Sequence, residues 1–195
     1  MVHAKVQAYT QAEPVPRPVA AAAAHRHFPF RHPETFMTQA LPSTTLTVDP
    51  AWIDAYGHLN AAHYVGIFDR VGFELLGQVG VGLDYTEATR CGIYTMNVHV
   101  AYLREVLAGD PLMLRVRLLE SDDKRVLCLM ELTQIRDGYL AATMEQLSLH
   151  VDLNTRRATP FPPELEQRLA RAVSQHAAEP LPPGYRRLLP LKGPR

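Results

Sequence analysis

Between Trp52 and Tyr64 the chain carries its densest polar cluster, Asp54-Ala55-Tyr56-Gly57-His58-Leu59-Asn60, just ahead of apolar residues at helical spacing. These residue types can do chemistry. A carboxylate can act as general base or nucleophile, and an imidazole beside it can move a proton. The first N–H groups of a helix have no intrahelical acceptor, so they can hold a developing oxyanion. Gly57 lets the backbone turn without a Cβ and lets a ligand approach closely. The alternative is a capping loop in which Asp54 and His58 bond only to backbone.

The elements that must position this loop follow from periodicity. Ser43 to Asp49 is rich in β-branched residues and closes at Pro50, as a first strand would. Asn60 is a good helix N-cap. After it Tyr64, Ile67, Phe68, Val71, Leu75 and Leu76 recur at steps of three and four, predicting a helix of about 17 residues that stops at Gly77, Gly80 and Gly82. From Ile93 to Tyr102 the period becomes two, with Tyr94, Met96, Val98, Val100 and Tyr102 on one face and Thr95, Asn97 and His99 on the other. Leu112–Leu119, Lys124–Ile135 and Tyr139–Asp152 read as three more strands, separated by turns at Asp122-Asp123 and Arg136-Asp137-Gly138. Four consecutive strands joined in this way predict an antiparallel meander. The expected class is α+β: a curved five-stranded antiparallel sheet wrapped round one long helix. Such a sheet has more edges and faces than one helix can cover, so another copy of the chain is expected to meet it.

The chain has 195 residues, and its 20 Lys plus Arg balance 20 Asp plus Glu. That balance disfavours nucleic-acid binding. Apolar stretches break well before the roughly 20 residues a membrane helix needs. Cys91 and Cys128 are too few and too isolated for a disulfide framework or a thiolate metal site, and they suit a reducing, cytoplasmic compartment. Seven of 16 prolines lie at or before Pro50 and eight at or after Pro160, bracketing one folded unit. Residues 1–36 read as a disordered tail or a gene start placed too early, 37–162 as the folded domain, and 163–195 as a Pro-rich extension with a short helix over Glu164–Ala178. His25, His27 and His32 have neither a scaffold nor a ligand spacing for metal, and no cofactor or metal is expected.

Three separated segments carry a family resemblance: WIDAYGHLNAAHY (52–64), VHVAYLREVLAGD (98–110) and LHVDLNTRRATPFP (149–162). They resemble the hot-dog-fold acyl-CoA thioesterases of the 4-hydroxybenzoyl-CoA thioesterase-like branch. Within it the chain is most similar to the betainyl-CoA thioesterases of carnitine breakdown, some of which are fused to carnitine dehydrogenase. The resemblance implies the hot-dog fold, a homodimer or dimer of dimers joined through the long strand after the helix, and an acyl-CoA substrate bound at the subunit interface. It implies Asp54 as the catalytic carboxylate, either activating water or attacking the thioester carbonyl. It also implies a helix-start amide near Ala61 for the carbonyl oxygen, helped by Asn60 or the Gly57–His58 turn. His58 is then either a second acid/base or a residue that holds Asp54 in place.

Further candidates line the substrate. Glu105 is either an ordinary solvated acid or a residue reaching the partner's pocket, and Tyr64 joins it near the site. Glu145 shares the strand phase of Leu147, Leu149 and Val151 and is expected to face the helix, where a carboxylate needs a partner or a function. For a quaternary ammonium acyl group, Trp52, Tyr56, Tyr94 and Glu145 would form an aromatic and acidic cage. Arg156 and Arg157 are candidates for the CoA phosphates. A hot-dog hydratase would need a His five residues after the Asp, where this chain has Leu59. A non-catalytic acyl-CoA sensor is the competing class.

Overall fold

A computed structural model describes residues 41–191, and the readings made for residues 1–36 fall outside them. Strand β1 (Ser43–Thr47) leads through a short 3-10 turn (Pro50–Trp52) to helix α1 (Ala61–Gly77). Then come helix α2 (Leu83–Thr89) and strands β2 (Cys91–Tyr102), β3 (Pro111–Ser121), β4 (Arg125–Gln134) and β5 (Tyr139–Asp152). A two-residue strand β6 (Arg157–Ala158) and helix α3 (Pro163–His176) close the order. No helix among the described residues is long and apolar enough to cross a membrane.

The strands form one antiparallel sheet in the order β1-β3-β4-β5-β2, with β6 as a sixth strand on β5. This corrects the expected four-strand meander. Only β3, β4 and β5 run as a meander, whereas β2 pairs with β5 and so lies at the far edge. The 103–110 connection therefore crosses the sheet end, past the loop that leads into α1.

The apolar stripe of α1 packs as its spacing predicts: Tyr64, Ile67, Phe68, Leu75 and Leu76 are buried against Leu112, Leu114, Val116, Met130 and Met144. Burying a side chain of this size is worth about 1.5–3 kcal/mol, so this layer dominates the stability of the fold. The turn after α1 does not simply stop the helix. It leads into α2, which short periodicity did not reveal, and it is so tight that a Cβ on Gly82 would lie 2.5 Å from Gly77 Cα. Tyr85 of α2 donates its hydroxyl to His150 Nε2 at 2.8 Å, tying α2 to β5.

Two bulges reset which side chains face α1. In β2, Ile93 pairs with His150 but Val98 pairs with Gln146, so one residue is skipped near Met96. Tyr94 therefore lies on the opposite face from Val98, Val100 and Tyr102, against the simple alternation. In β5, Ala142 pairs with Leu132 while Leu140 pairs with Thr133, which leaves Ala141 as the extra residue. Beyond it the even positions, including Met144, share the face of Met130 and α1. Glu145, Leu147 and Leu149 point to the other face.

That outer face is covered from within. Arg117, 2 % exposed, donates to the carbonyl oxygens of His176, Glu179 and Pro180 at 2.9, 2.8 and 2.9 Å and pairs with Glu131 at 3.3 Å. Residues 179–191 then run across the sheet as a strap. The C-terminal extension is thus more than a short helix.

Candidate active site

The loop before α1 is built by local hydrogen bonds. Asp49 caps the 3-10 turn by accepting the Ala51 N–H at 2.8 Å. Ile53 and Leu59 form a short antiparallel bridge, with Asp54 N–H donating to His58 O at 3.0 Å. Gly57 N–H returns to Asp54 O at 3.1 Å, and the reversal needs Gly57 at φ +88°, where a side chain would be strained. Asn60 N–H donates to Trp52 O at 3.0 Å and Leu59 N–H to Val106 O at 2.9 Å, which fixes the loop against the β2–β3 connection.

This frame holds a carboxylate with one oxygen engaged and one available. Asp54 Oδ1 accepts the Tyr56 N–H at 2.8 Å, while Oδ2 lies 3.8 Å from His58 Nδ1, beyond hydrogen-bond length. The Asp54 side chain is 19 % exposed, so it is sheltered but open to a small molecule.

The helix start complements it. Asn60 Oδ1 accepts the Ala62 N–H at 2.9 Å and Asn60 O accepts the His63 N–H at 2.9 Å. Among the described residues, the Ala61 N–H has no such acceptor, so it is the helical amide left for an anionic oxygen. Trp52 stacks on His63 with centroids 5.7 Å apart, closing one side of the helix start. On another side Tyr102, at the end of β2, donates its hydroxyl to Ala61 O at 3.3 Å and meets Tyr64 edge to face. Burial pushes the Tyr64 hydroxyl up to about 12, a bond to the Val106 backbone opposes the rise, and Tyr139, Glu105 and Tyr102 add smaller increments. Tyr64 stays a neutral phenol.

The sequence-derived candidates thus fall into three places. Trp52, Asp54, Gly57, His58, Asn60, Ala61, Tyr64 and Glu105 gather at the start of α1. Tyr56 lies at the loop tip, 86 % exposed, with its ring stacked over His58. Tyr94, Arg156 and Arg157 lie at the opposite end of β2, where Arg156 donates to the Tyr94 hydroxyl at 3.4 Å. Glu145 stands apart from both groups. It is on the outer face, 2 % exposed, and accepts from Tyr185 and the strap backbone, so it is not beside Trp52 or Tyr56 as the cage required. Its phase-mates Leu147 and Leu149 share that outer face, so the apolar phase of this stretch turns away from α1. Tyr102 was missed because alternation placed it only in an apolar stripe; its position as the last residue of β2, four before Val106, was the available signal.

Comparison with known proteins agrees with this geometry. Residues 48–169 match the thioesterase-like superfamily. A betainyl-CoA thioesterase of Pseudomonas aeruginosa is 32 % identical over 155 residues, 80 % of this chain and 98 % of that protein. An L-carnitine dehydrogenase/betainyl-CoA thioesterase of Rhizobium meliloti is 33 % identical over 137 residues, 70 % of this chain but only 27 % of that longer protein. Among solved structures, a hypothetical protein of Staphylococcus aureus in complex with CoA superposes with a TM-score of 0.69 at 27 % identity, covering 80 % of this chain and 100 % of that one. A 1,4-dihydroxy-2-naphthoyl-CoA thioesterase from Synechocystis shares the fold, with a TM-score of 0.58 at 15 % identity, over 69 % of this chain and 96 % of that one.

Proposed function

This chain belongs to the thioesterase-like superfamily and is an acyl-CoA thioester hydrolase, and from that premise we propose that its chemistry centres on Asp54. With Oδ1 held by the Tyr56 N–H, Oδ2 is the reacting oxygen. As base it takes a proton from water while the water oxygen bonds to the thioester carbonyl carbon. As nucleophile it makes that bond itself, and water then opens the anhydride. In both routes the C–S bond breaks and the sulfur leaves with CoA. The Ala61 N–H receives the carbonyl oxygen as it gains charge. His58, 3.8 Å from Oδ2, orients the carboxylate or shuttles the proton.

The acyl group we assign is betainyl, supported by the relative that this chain matches over nearly its whole length. We further propose a homodimer, with a dimer of dimers as the larger assembly, joined through β2. Tyr94, Met96 and Val98 leave an exposed apolar edge there. Antiparallel pairing of two β2 strands about a two-fold axis would set the Arg156 and Arg157 end of one subunit beside the Asp54 end of the other. Those guanidinium groups would then face the CoA phosphates. Two separate thiols, one of them buried, suit a cytoplasmic setting.

The observation that carries this reading is the half-free Asp54 carboxylate in a turn that ends at the α1 amides. Release of free thiol from a panel of short, aromatic, long-chain and betainyl CoA esters tests it. Asp54→Asn is expected to slow hydrolysis by about 10²–10⁴ while CoA binding persists. Near-wild-type turnover in that variant rejects the assignment.

A further inference from the structure

We propose that Tyr102 selects a cationic acyl group at this site. The inference rests on the betainyl reading above. Most aromatic rings around the helix start are already engaged. Trp52 is stacked on His63, Tyr56 on His58, and the Arg104 guanidinium lies 4.1 Å over the ring of Tyr139. Tyr64 is buried. Tyr102 is different: 51 % exposed, yet fixed in place by its hydroxyl bond to Ala61 O and by the edge contact with Tyr64.

The tether sets the geometry. Tyr102 is held to the same residue whose N–H receives the thioester carbonyl oxygen. In a betainyl group one methylene separates the quaternary nitrogen from the carbonyl carbon, so the cation lies within a few ångströms of that oxygen. A ring face attracts such a cation when its centroid is within about 6 Å. A residue anchored on Ala61 can meet that demand; Tyr94, at the far end of β2, cannot do so within one subunit.

Tyr139 donates its hydroxyl to Glu105 O at 2.7 Å, which fixes this part of the connection beside the aromatic cluster. An aromatic face suits a methylated ammonium, which can donate no hydrogen bond and must be held by charge and contact.

The test compares betainyl-CoA with 3,3-dimethylbutanoyl-CoA, a neutral ester of the same shape, on the full-length protein and on Tyr102→Phe and Tyr102→Leu. The wild type is expected to favour the cationic ester. Phe keeps the ring and loses only the bond to Ala61 O, so both esters should slow alike and the preference should stay within about twofold. Leu removes the ring, and the kcat/KM ratio of cationic to neutral ester should fall about tenfold. A Leu variant that keeps the preference, or that loses both esters equally, overturns the role of Tyr102. A wild type that hydrolyses thioesters with no preference for the cation overturns the betainyl reading instead, so the two failures are distinct.

Discussion

The Glu145 carboxylate accepts the main-chain N–H of Leu188 at 2.9 Å, and the Leu189 N–H and the Tyr185 hydroxyl join it at 2.7 and 2.9 Å. Three donors around one buried acid fix the strap on the sheet. Burial, then the Glu145 hydrogen bond and charge, pushes the Tyr185 hydroxyl far up, so it donates throughout the working pH range.

Replacing Glu145 with Gln sets an amide NH₂ against groups that also donate. The expected loss is about 1–3 kcal/mol of stability, seen as a lower melting temperature. The preference for a cationic over a neutral acyl ester should not change, because the acid lies across the sheet from α1. Unchanged melting together with a changed preference would return Glu145 to the acyl site.

His176 ends α3 with its Nδ1 accepting the Leu118 N–H at 2.9 Å, which requires that nitrogen to be unprotonated. Burial, then the Arg117 charge, holds its pKa below the ordinary 6.5. As pH falls, the unfolded chain takes up this proton first, so the stabilisation is present above about 6.5 and declines below it. Melting measured at pH 7.5 and at successively lower values should show this fall, and His176→Gln should flatten the same stretch of the curve. An equal slope in both proteins assigns the acid sensitivity elsewhere.

The exposed edge of β2 predicts an assembly defect. Met96→Glu places two like charges near the middle of a two-fold seam, and the variant should sediment as a monomer with activity reduced at least tenfold. A fully dimeric Met96→Glu protein would remove β2 as the joining edge.

Much of this architecture was legible in the residues. The α1 stripe from Tyr64 to Leu76, the Asn60 cap and the strand boundaries around Asp122 and Gly138 each follow from local chemistry. The Asp54 to Ala61 cluster was likewise readable, because a turn glycine and a helix cap act over a few residues. Sheet order was not, since strand pairing depends on long-range closure and β2 is joined to β3 without being its neighbour. Nor was the face of Tyr94, because a single extra residue at a bulge inverts every side chain beyond it without leaving a pattern, nor that of Glu145, whose apolar phase-mates Leu147 and Leu149 also turn away from α1. The strap escaped for another reason: most of its anchors are backbone atoms.

Arg117 grips carbonyl oxygens, and Glu145 grips two amides as well as a phenol. Every residue type but proline offers the former together with the latter, so the strap's own side chains can drift in evolution while it stays docked. Two receptor positions inside the sheet bear that constraint, and a change at either would release a segment whose own spelling had not altered.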